Sequence, residues 1–266
     1  MQVHSLGYKT DLIFPAFDGQ ITDRGDYLVI KTPSNPSFFW GNFLLFASPP
    51  GEGDFHRWLE IFTEEIGKPP ETIHLAIGWD SPQDEAGIIQ PFIDHGFHLD
   101  RMVVLSAKRG DLVDQAPPNF VIRQLQSDED WAQGIENQVI CREPIFGESA
   151  YRVFRQGQAK RYQAMADAGY GTWFGAFAGN RLVGDLGIFC SADLARYQSV
   201  QTHPDYRRQG IASALVQQAA LYAFEHHAVE TIVIVAEEDS PAQRLYLGAG
   251  FNFVEYQMGV WKADEK

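Results

Sequence analysis

The sequence predicts a mixed α/β (α+β) fold in two halves, each a mixed, mostly antiparallel sheet flanked by helices. Three observations predict it. Short β-branched runs such as TIVIVA at 231–236 alternate with amphipathic stretches of helix length. A polar segment with adjacent prolines, DLVDQAPPN at 111–119, divides the chain into 1–115 and 116–266. The order strand, loop, helix, strand, helix, Gly-Phe occurs twice, over 50–97 and again over 204–251.

Composition narrows the function. The chain has 266 residues, 45% hydrophobic and 21% charged, which is enough apolar material for a full core. Its formal net charge of −14 argues against general nucleic-acid or anionic-membrane binding. The charge fits solubility or a preference for cationic substrates. Cys141 and Cys190 form no CxxC pair, so neither a disulfide framework nor a metal site is expected. His95 and His98 bracket Gly96-Phe97 at a helix end and do not share a face, which also argues against a metal. The opening MQVHSLGYKTDLIF lacks the basic and apolar regions of a secretion signal, and no apolar run reaches the roughly 18 residues of a membrane helix. A cytoplasmic protein is the expectation.

The elements follow in order. In the first half, 42–48 (NFLLFAS) reads as a strand, PPGEG as a loop and 54–66 as a helix with Trp58, Ile61, Phe62 and Glu65 at helical intervals. A strand at 72–77 and a helix over 84–95 come next. Phe38-Phe39-Trp40 and Trp173-Phe174 suit strands in a core, or the floor of a pocket, with the core the first reading. The second half opens with a strand at 120–125. Ser127 then caps a helix whose first turn is acidic. Residues 131–168 read as helical with a break near Pro144 and Gly147. Three antiparallel strands follow at 173–178, 181–189 and 195–202. Ile211, Leu215, Ala219 and Tyr222 mark a helix face, and 231–236 a buried strand. Pro241 starts a last helix that Gly248 or Gly250 ends.

One turn is chemically distinctive. Arg207-Arg208-Gln209-Gly210-Ile211-Ala212-Ser213 lies where a strand feeds a helix N-terminus, gathering unpaired amides and the positive end of the helix dipole. Such a turn accepts a phosphate. With ALY-type helix residues and Gly250-Phe251 downstream, it resembles the acetyl-CoA signature of the GCN5-related N-acetyltransferases: Arg207, Gly210 and Ala212 stand at its defining positions. The resemblance covers about residues 120–262. The first half resembles a degenerate copy, with Pro49-Pro50-Gly51-Glu52-Gly53-Asp54 where the phosphate loop would be. Two prolines there remove amide donors, and two carboxylates oppose an anion.

The resemblance implies transfer of an acetyl group from acetyl-CoA to an amine, without a metal. It places Arg207 to Ser213 on the pyrophosphate, backbone groups of Val200, Gln201 and Thr202 on the pantetheine and acetyl parts, and Asp239 where many members have an asparagine touching the cofactor. The N–H of Val200 becomes the oxyanion donor and Tyr246 the general acid and a cofactor contact. Arg244 is a further cation for the loop. A glutamate that serves some members as base is replaced by Arg196, leaving Asp185, Asp193, Glu237, Glu238 or a water chain, each carboxylate reading first as a solvated or turn residue. The acceptor is expected to be a small molecule of unspecified kind: amino acid, polyamine, aminoglycoside or peptide terminus. Transfer of a longer acyl group, or a CoA-binding sensor without turnover, are the rival readings. The oligomeric state stays open, the internal repeat being compatible with a monomer. The first half would serve as a scaffold or a cleft wall.

Overall fold

In a computed structural model of the protein, residues 1–68, 72–114, 119–144 and 146–263 are described. Pro117 and Pro118 of the expected linker lie outside these residues. Packing divides the chain into two compact units, one of Met1–Val104, Val235–Glu238 and Val254–Lys266, the other of Leu105–Ile234 and Asp239–Phe253. Each unit is therefore discontinuous in sequence.

The first unit begins with two short helices, α1 (Leu6–Asp11) and α2 (Ile13–Asp18), and the strands β1 (Gln20–Asp23) and β2 (Tyr27–Lys31). Then come β3 (Phe43–Phe46), α3 (Asp54–Glu65), β4 (His74–Trp79) and α4 (Gln90–Asp94). Strand β5 (His98–Ala107) carries the chain into the second unit. β1, β2 and β3 form antiparallel pairs, while β3 and β4 run parallel, as a strand–helix–strand crossover requires. On α3 the positions Phe55, Trp58 and Phe62 are buried, and Trp58 stacks on Phe46 with ring centroids 4.0 Å apart.

Two expectations for this unit are corrected. The helix over 84–95 contracts to α4. Asp84 is left-handed at φ 61°, and the Ile88 N–H goes to the Pro50 carbonyl at 2.7 Å, so the segment is pinned to the proline loop before a helix can start. Phe39 and Trp40 lie in a single 3₁₀ turn, Phe39–Gly41, rather than a strand. Their rings still serve the core: Phe39 stacks on His74 at 4.4 Å and Trp40 meets Phe43 edge-on.

The second unit contains β6 (Val121–Gln124), α5 (Asp128–Ile140), α6 (Glu148–Asp167), β7 (Gly171–Ala178), β8 (Arg181–Ser191) and β9 (Leu194–Thr202). α7 (Ile211–His226), β10 (Thr231–Glu237), α8 (Pro241–Gly248) and β11 (Asn252–Ala263) complete the chain. Strands β6 to β9 form an antiparallel meander, and β10 joins β9 in parallel. Helix α5 starts as expected. The Ser127 hydroxyl accepts from the Asp130 N–H in a capping box, and Asp130 takes a two-pronged bond from Arg123 at 2.6 and 2.7 Å. That guanidinium holds the Asp130 carboxyl well below the usual carboxylate range and ties β6 to α5.

Helices cover both faces of this meander. Side chains alternate along β8. A Cβ at Gly184 would lie 2.7 Å from Ile211 of α7, whereas the neighbouring Asp185 bonds to residues of α5. On α7 the expected face is buried at Ile211, Leu215 and Ala219. At the far end of α8, Gly250 has φ +101°, and a Cβ there would fall 2.0 Å from the Asp111 carbonyl oxygen. No other residue type fits that closure.

Candidate functional site

The site is built at the end of β9. The antiparallel register of β8 with β9 jumps from Asp185↔Gln201 to Gly187↔Gln198, so Ser199 and Val200 together oppose Leu186. This is a β-bulge, and Ser199 takes the left-handed φ of 49° that the extra residue demands. On its other side, β9 pairs with β10 from Thr231↔Leu194 to Val233↔Arg196, then continues beyond that register to Thr202. Val200, Gln201 and Thr202 therefore lie partly exposed in the segment between bulge and turn.

The turn itself has an unusual backbone. Arg208 is left-handed at φ 61°, and Gly210, the N-cap of α7, is left-handed at φ 78°. Gly210 offers no side chain to cap this helix, and among the described residues no side-chain bond to its first-turn amides is found. A Cβ at Gly210 would meet nothing within 4 Å. Arg207, Arg208, Gln209 and Gly210 are exposed, Ile211 is buried, and Ala212 and Ser213 are half-buried in the first turn. The arrangement is an open concavity of backbone donors at the positive end of a sixteen-residue helix. Arg207 also bonds through Nε to the Thr202 carbonyl at 3.3 Å, which fixes the turn to the end of β9.

The remaining expected residues fall in different places. Tyr246 is buried at 5% exposure on α8, its ring 6.2 Å from that of Phe251. Burial raises its phenol well above the ordinary value, so it stays protonated. Asp239 is an exposed left-handed turn residue. Its N–H goes to Gln243 at 2.6 Å and its carbonyl takes Arg244 at 2.6 Å, so Arg244 bonds to this turn. His203 is buried at 7% exposure, with Arg181 2.9 Å from its Nε2, and serves to anchor the strand end.

The candidate bases separate clearly. Asp193 lies in the β8–β9 turn, at the opposite end of β9 from the Arg207 loop, where its carbonyl takes the N–H groups of Glu230 and Thr231. Glu238 belongs to the first unit, bonded to Arg101 and to Tyr256 at 2.5 Å. Glu237 belongs to the first unit as well. Asp185 departs from the solvated reading: it is wholly buried at 0% exposure. Its carboxylate accepts from Asn137 at 2.6 Å, Gln138 at 2.8 Å and Trp173 at 2.9 Å. Burial outweighs these donors and pushes its acid up to about 6. Gln138, which bonds to it, and Arg155 and Ser199, which bond to each other beside Gln138, escaped the sequence reading. The available signal was a carboxylate inside the apolar run LVGDLGIF, since a charge amid a buried strand needs partners.

Among the described residues no group of histidines, cysteines and carboxylates could hold a metal, and no helix is long and apolar enough to cross a membrane.

Residues 136–251 match the sequence profile of the Acetyltransferase (GNAT) family. No curated protein matches the chain by sequence. Among solved structures, a conserved protein of unknown function from Staphylococcus epidermidis ATCC 12228 superposes with a TM-score of 0.77 at 16% identity, over 94% of this chain and 96% of that one. A GCN5-related N-acetyltransferase from Kribbella flavida gives 0.66 at 15% identity, over 96% and 93%. A tandem GNAT protein from the clavulanic acid biosynthesis pathway gives 0.57 at 13% identity, over 97% and 88%. These likenesses concern the fold.

Proposed function

We propose that the protein transfers an acetyl group from acetyl-CoA to the amine of a small-molecule acceptor, a reading supported by the match of residues 136–251 to the Acetyltransferase (GNAT) family. The observation that carries this reading is the left-handed pair Arg208 and Gly210 opening the uncapped N-terminus of α7. The turn suits a pyrophosphate: among the described residues no side chain bonds its amides, and Gly210 presents no Cβ to a ligand. In this reading the amides of Arg208 to Ala212 hold the phosphates, with Arg207 and Arg208 reversing the field of an acidic protein. The partly exposed segment Val200 to Thr202 takes the pantetheine arm.

Acetyl-CoA supplies an activated thioester carbonyl. The acceptor nitrogen attacks that carbon, the C–S bond breaks, the nitrogen loses a proton and the sulfur gains one. The N–H of Val200, which lies in the bulge, stabilises the carbonyl oxygen as it gains charge. Tyr246, kept protonated by burial, donates to the departing sulfur. The first unit repeats the order of this domain: β3, loop, α3, parallel β4, α4, Gly96, strand, as against β9, loop, α7, parallel β10, α8, Gly250, strand. Both crossover helices begin at a left-handed glycine, Gly53 and Gly210. We read the first unit as a degenerate copy, in which the Gly51 N–H is already taken by the Asp54 carboxylate at 2.8 Å.

The test is an acceptor screen that follows free thiol release with acetyl-CoA and a broad panel of amines. Turnover with at least one amine, abolished in Gly210→Glu, is expected. CoA binding without turnover on any amine would instead make the protein a sensor.

A further inference from the structure

We infer that Gln138 and Arg155 are positioning residues for the proposed transfer: gripping Ser199 by its carbonyl and its hydroxyl, they set the peptide plane that carries the Val200 N–H. The inference rests on the acyltransferase reading given above and deepens it, by naming the side chains that hold the oxyanion donor.

The bulge contains a residue that its backbone does not favour. Ser199 and Val200 together oppose Leu186, and Ser199 holds a left-handed φ of 49°. Glycine enters that region without steric cost, whereas a Cβ crowds the following carbonyl. A left-handed bulge position that needs only its backbone shape is met by glycine. A serine there adds strain and one hydroxyl. Strain of this kind persists where the surrounding structure over-determines the conformation.

Two helices supply that determination. The Ser199 hydroxyl takes Nη1 of Arg155, on α6, at 3.1 Å. The Ser199 carbonyl takes Nε2 of Gln138, on α5, at 3.1 Å. Both donors are themselves fixed. Arg155 gives Nε and Nη2 to Tyr151 Oη at 2.9 and 2.6 Å, and Nη1 also reaches Gln158 Oε1 at 2.8 Å. Its guanidinium lies 4.9 and 5.4 Å from the ring centroids of Tyr151 and Phe154. Gln138 is 4% exposed, and the same Nε2 reaches Asp185 Oδ2 at 2.8 Å. Its amide thus serves two acceptors at once, and reversing it would set an oxygen against both.

The grip reaches the reaction through one peptide bond. The Ser199 carbonyl and the Val200 N–H belong to the same planar unit, so fixing the direction of one fixes the other. Donation from Gln138 to that carbonyl also polarises the peptide and strengthens its N–H as a donor. The Arg155 bond holds the other side of Ser199, where a free side chain would let the bulge relax. An oxyanion donor acts by being in place before charge develops, so its value depends on this stiffness.

The experiment is carbon NMR of acetyl-CoA isotopically labelled at its thioester carbonyl, bound to the intact chain, read beside thermal unfolding with and without CoA. In the wild type the bound carbonyl should move downfield of the free ligand, because a hydrogen bond polarises it. Ser199→Gly and Arg155→Met should each lose most of that displacement. The double variant should lose no more than the larger single loss, since the two side chains act as a unit. Ser199→Gly should unfold close to the wild type, relief of the left-handed strain offsetting the lost bond, and should keep the upward shift with CoA. Full displacement in Ser199→Gly, or additive losses in the double variant, would overturn the inference. A CoA shift without carbonyl displacement in the wild type would overturn it as well and leave cofactor binding standing. No CoA shift in the wild type would remove the acyltransferase reading and the inference with it.

Discussion

The side-chain amide of Gln138, on α5, donates to Oδ2 of Asp185, on β8, at 2.8 Å. The same nitrogen reaches the Ser199 carbonyl at 3.1 Å, so one side chain links the buried carboxylate to the bulge beside Val200. A proton gained or lost at Asp185 is therefore felt both in the stability of the fold and at the proposed acyl site.

The first prediction concerns stability against pH. Burial raises Asp185 from an ordinary 3.8 to about 6, so the folded chain holds this proton where the unfolded chain has lost it. Stability then falls as pH rises through that window, and above about 6 the full cost of the buried charge is present. A shift of about two units corresponds to about 3 kcal/mol. Denaturant unfolding between pH 4 and 7 should show this loss in the wild type beyond that of Asp185→Asn, which keeps only the like contribution of Asp100, also raised by burial to about 6. Parallel curves for the two proteins would refute it.

A second prediction concerns the turn before α7. Saturating CoA, at about 100 times its dissociation constant, should stabilise the protein by about 2.7 kcal/mol. Gly210→Glu should abolish the shift, because it places a carboxylate at the amide concavity and strains a residue at φ 78°. Thermal unfolding with and without CoA measures it. An unchanged wild-type midpoint at millimolar CoA would count against the whole functional reading.

Tyr246 supplies a third. Tyr246→Phe keeps the ring that packs near Phe251 and removes only the hydroxyl. Loss of a positioned acid should lower kcat roughly 10²-fold with CoA affinity little changed. Steady-state thiol release on any acceptor found by screening decides it. An unaltered kcat in a chemistry-limited assay would leave Tyr246 as packing.

The fourth prediction is stoichiometric. Asp54 accepts from the Gly51 N–H at 2.8 Å and pairs with Arg57 at 2.8 Å, so the first unit's loop already carries an anion. One CoA per chain is expected by calorimetry. Asp54→Ala should cost about 0.3–1 kcal/mol from the helix N-terminus without creating a second site. Two CoA per chain in the wild type would refute the degenerate reading.

Much of this was legible in the sequence where the signal is local. The Ser127 cap, the Gly210 turn and Pro241 at the start of α8 each depend on a few adjacent residues whose backbone preferences are strong. The helix over 84–95 failed because a bond from Ile88 to Pro50, distant in sequence, outweighs local propensity. The bonds around Asp185 were illegible for the same reason. Asp185, Gln138, Trp173 and Arg155 come from four elements, and only the packing of α5 and α6 against the sheet brings them together. The interruption of an apolar strand by Asp185 was visible, but its partners were not.

Strand β11 pairs antiparallel with β4, from Met258↔Trp79 to Ala263↔His74. For a protein made from its N-terminus onward, this means that β4 leaves the ribosome long before its partner exists. The edge formed by His74 to Trp79 must wait through synthesis of nearly the whole second unit, with unpaired backbone groups exposed to competing strands. Completion of the first unit is thus a late event in biogenesis, and its unfinished sheet is where a nascent chain of this protein has most need of a chaperone.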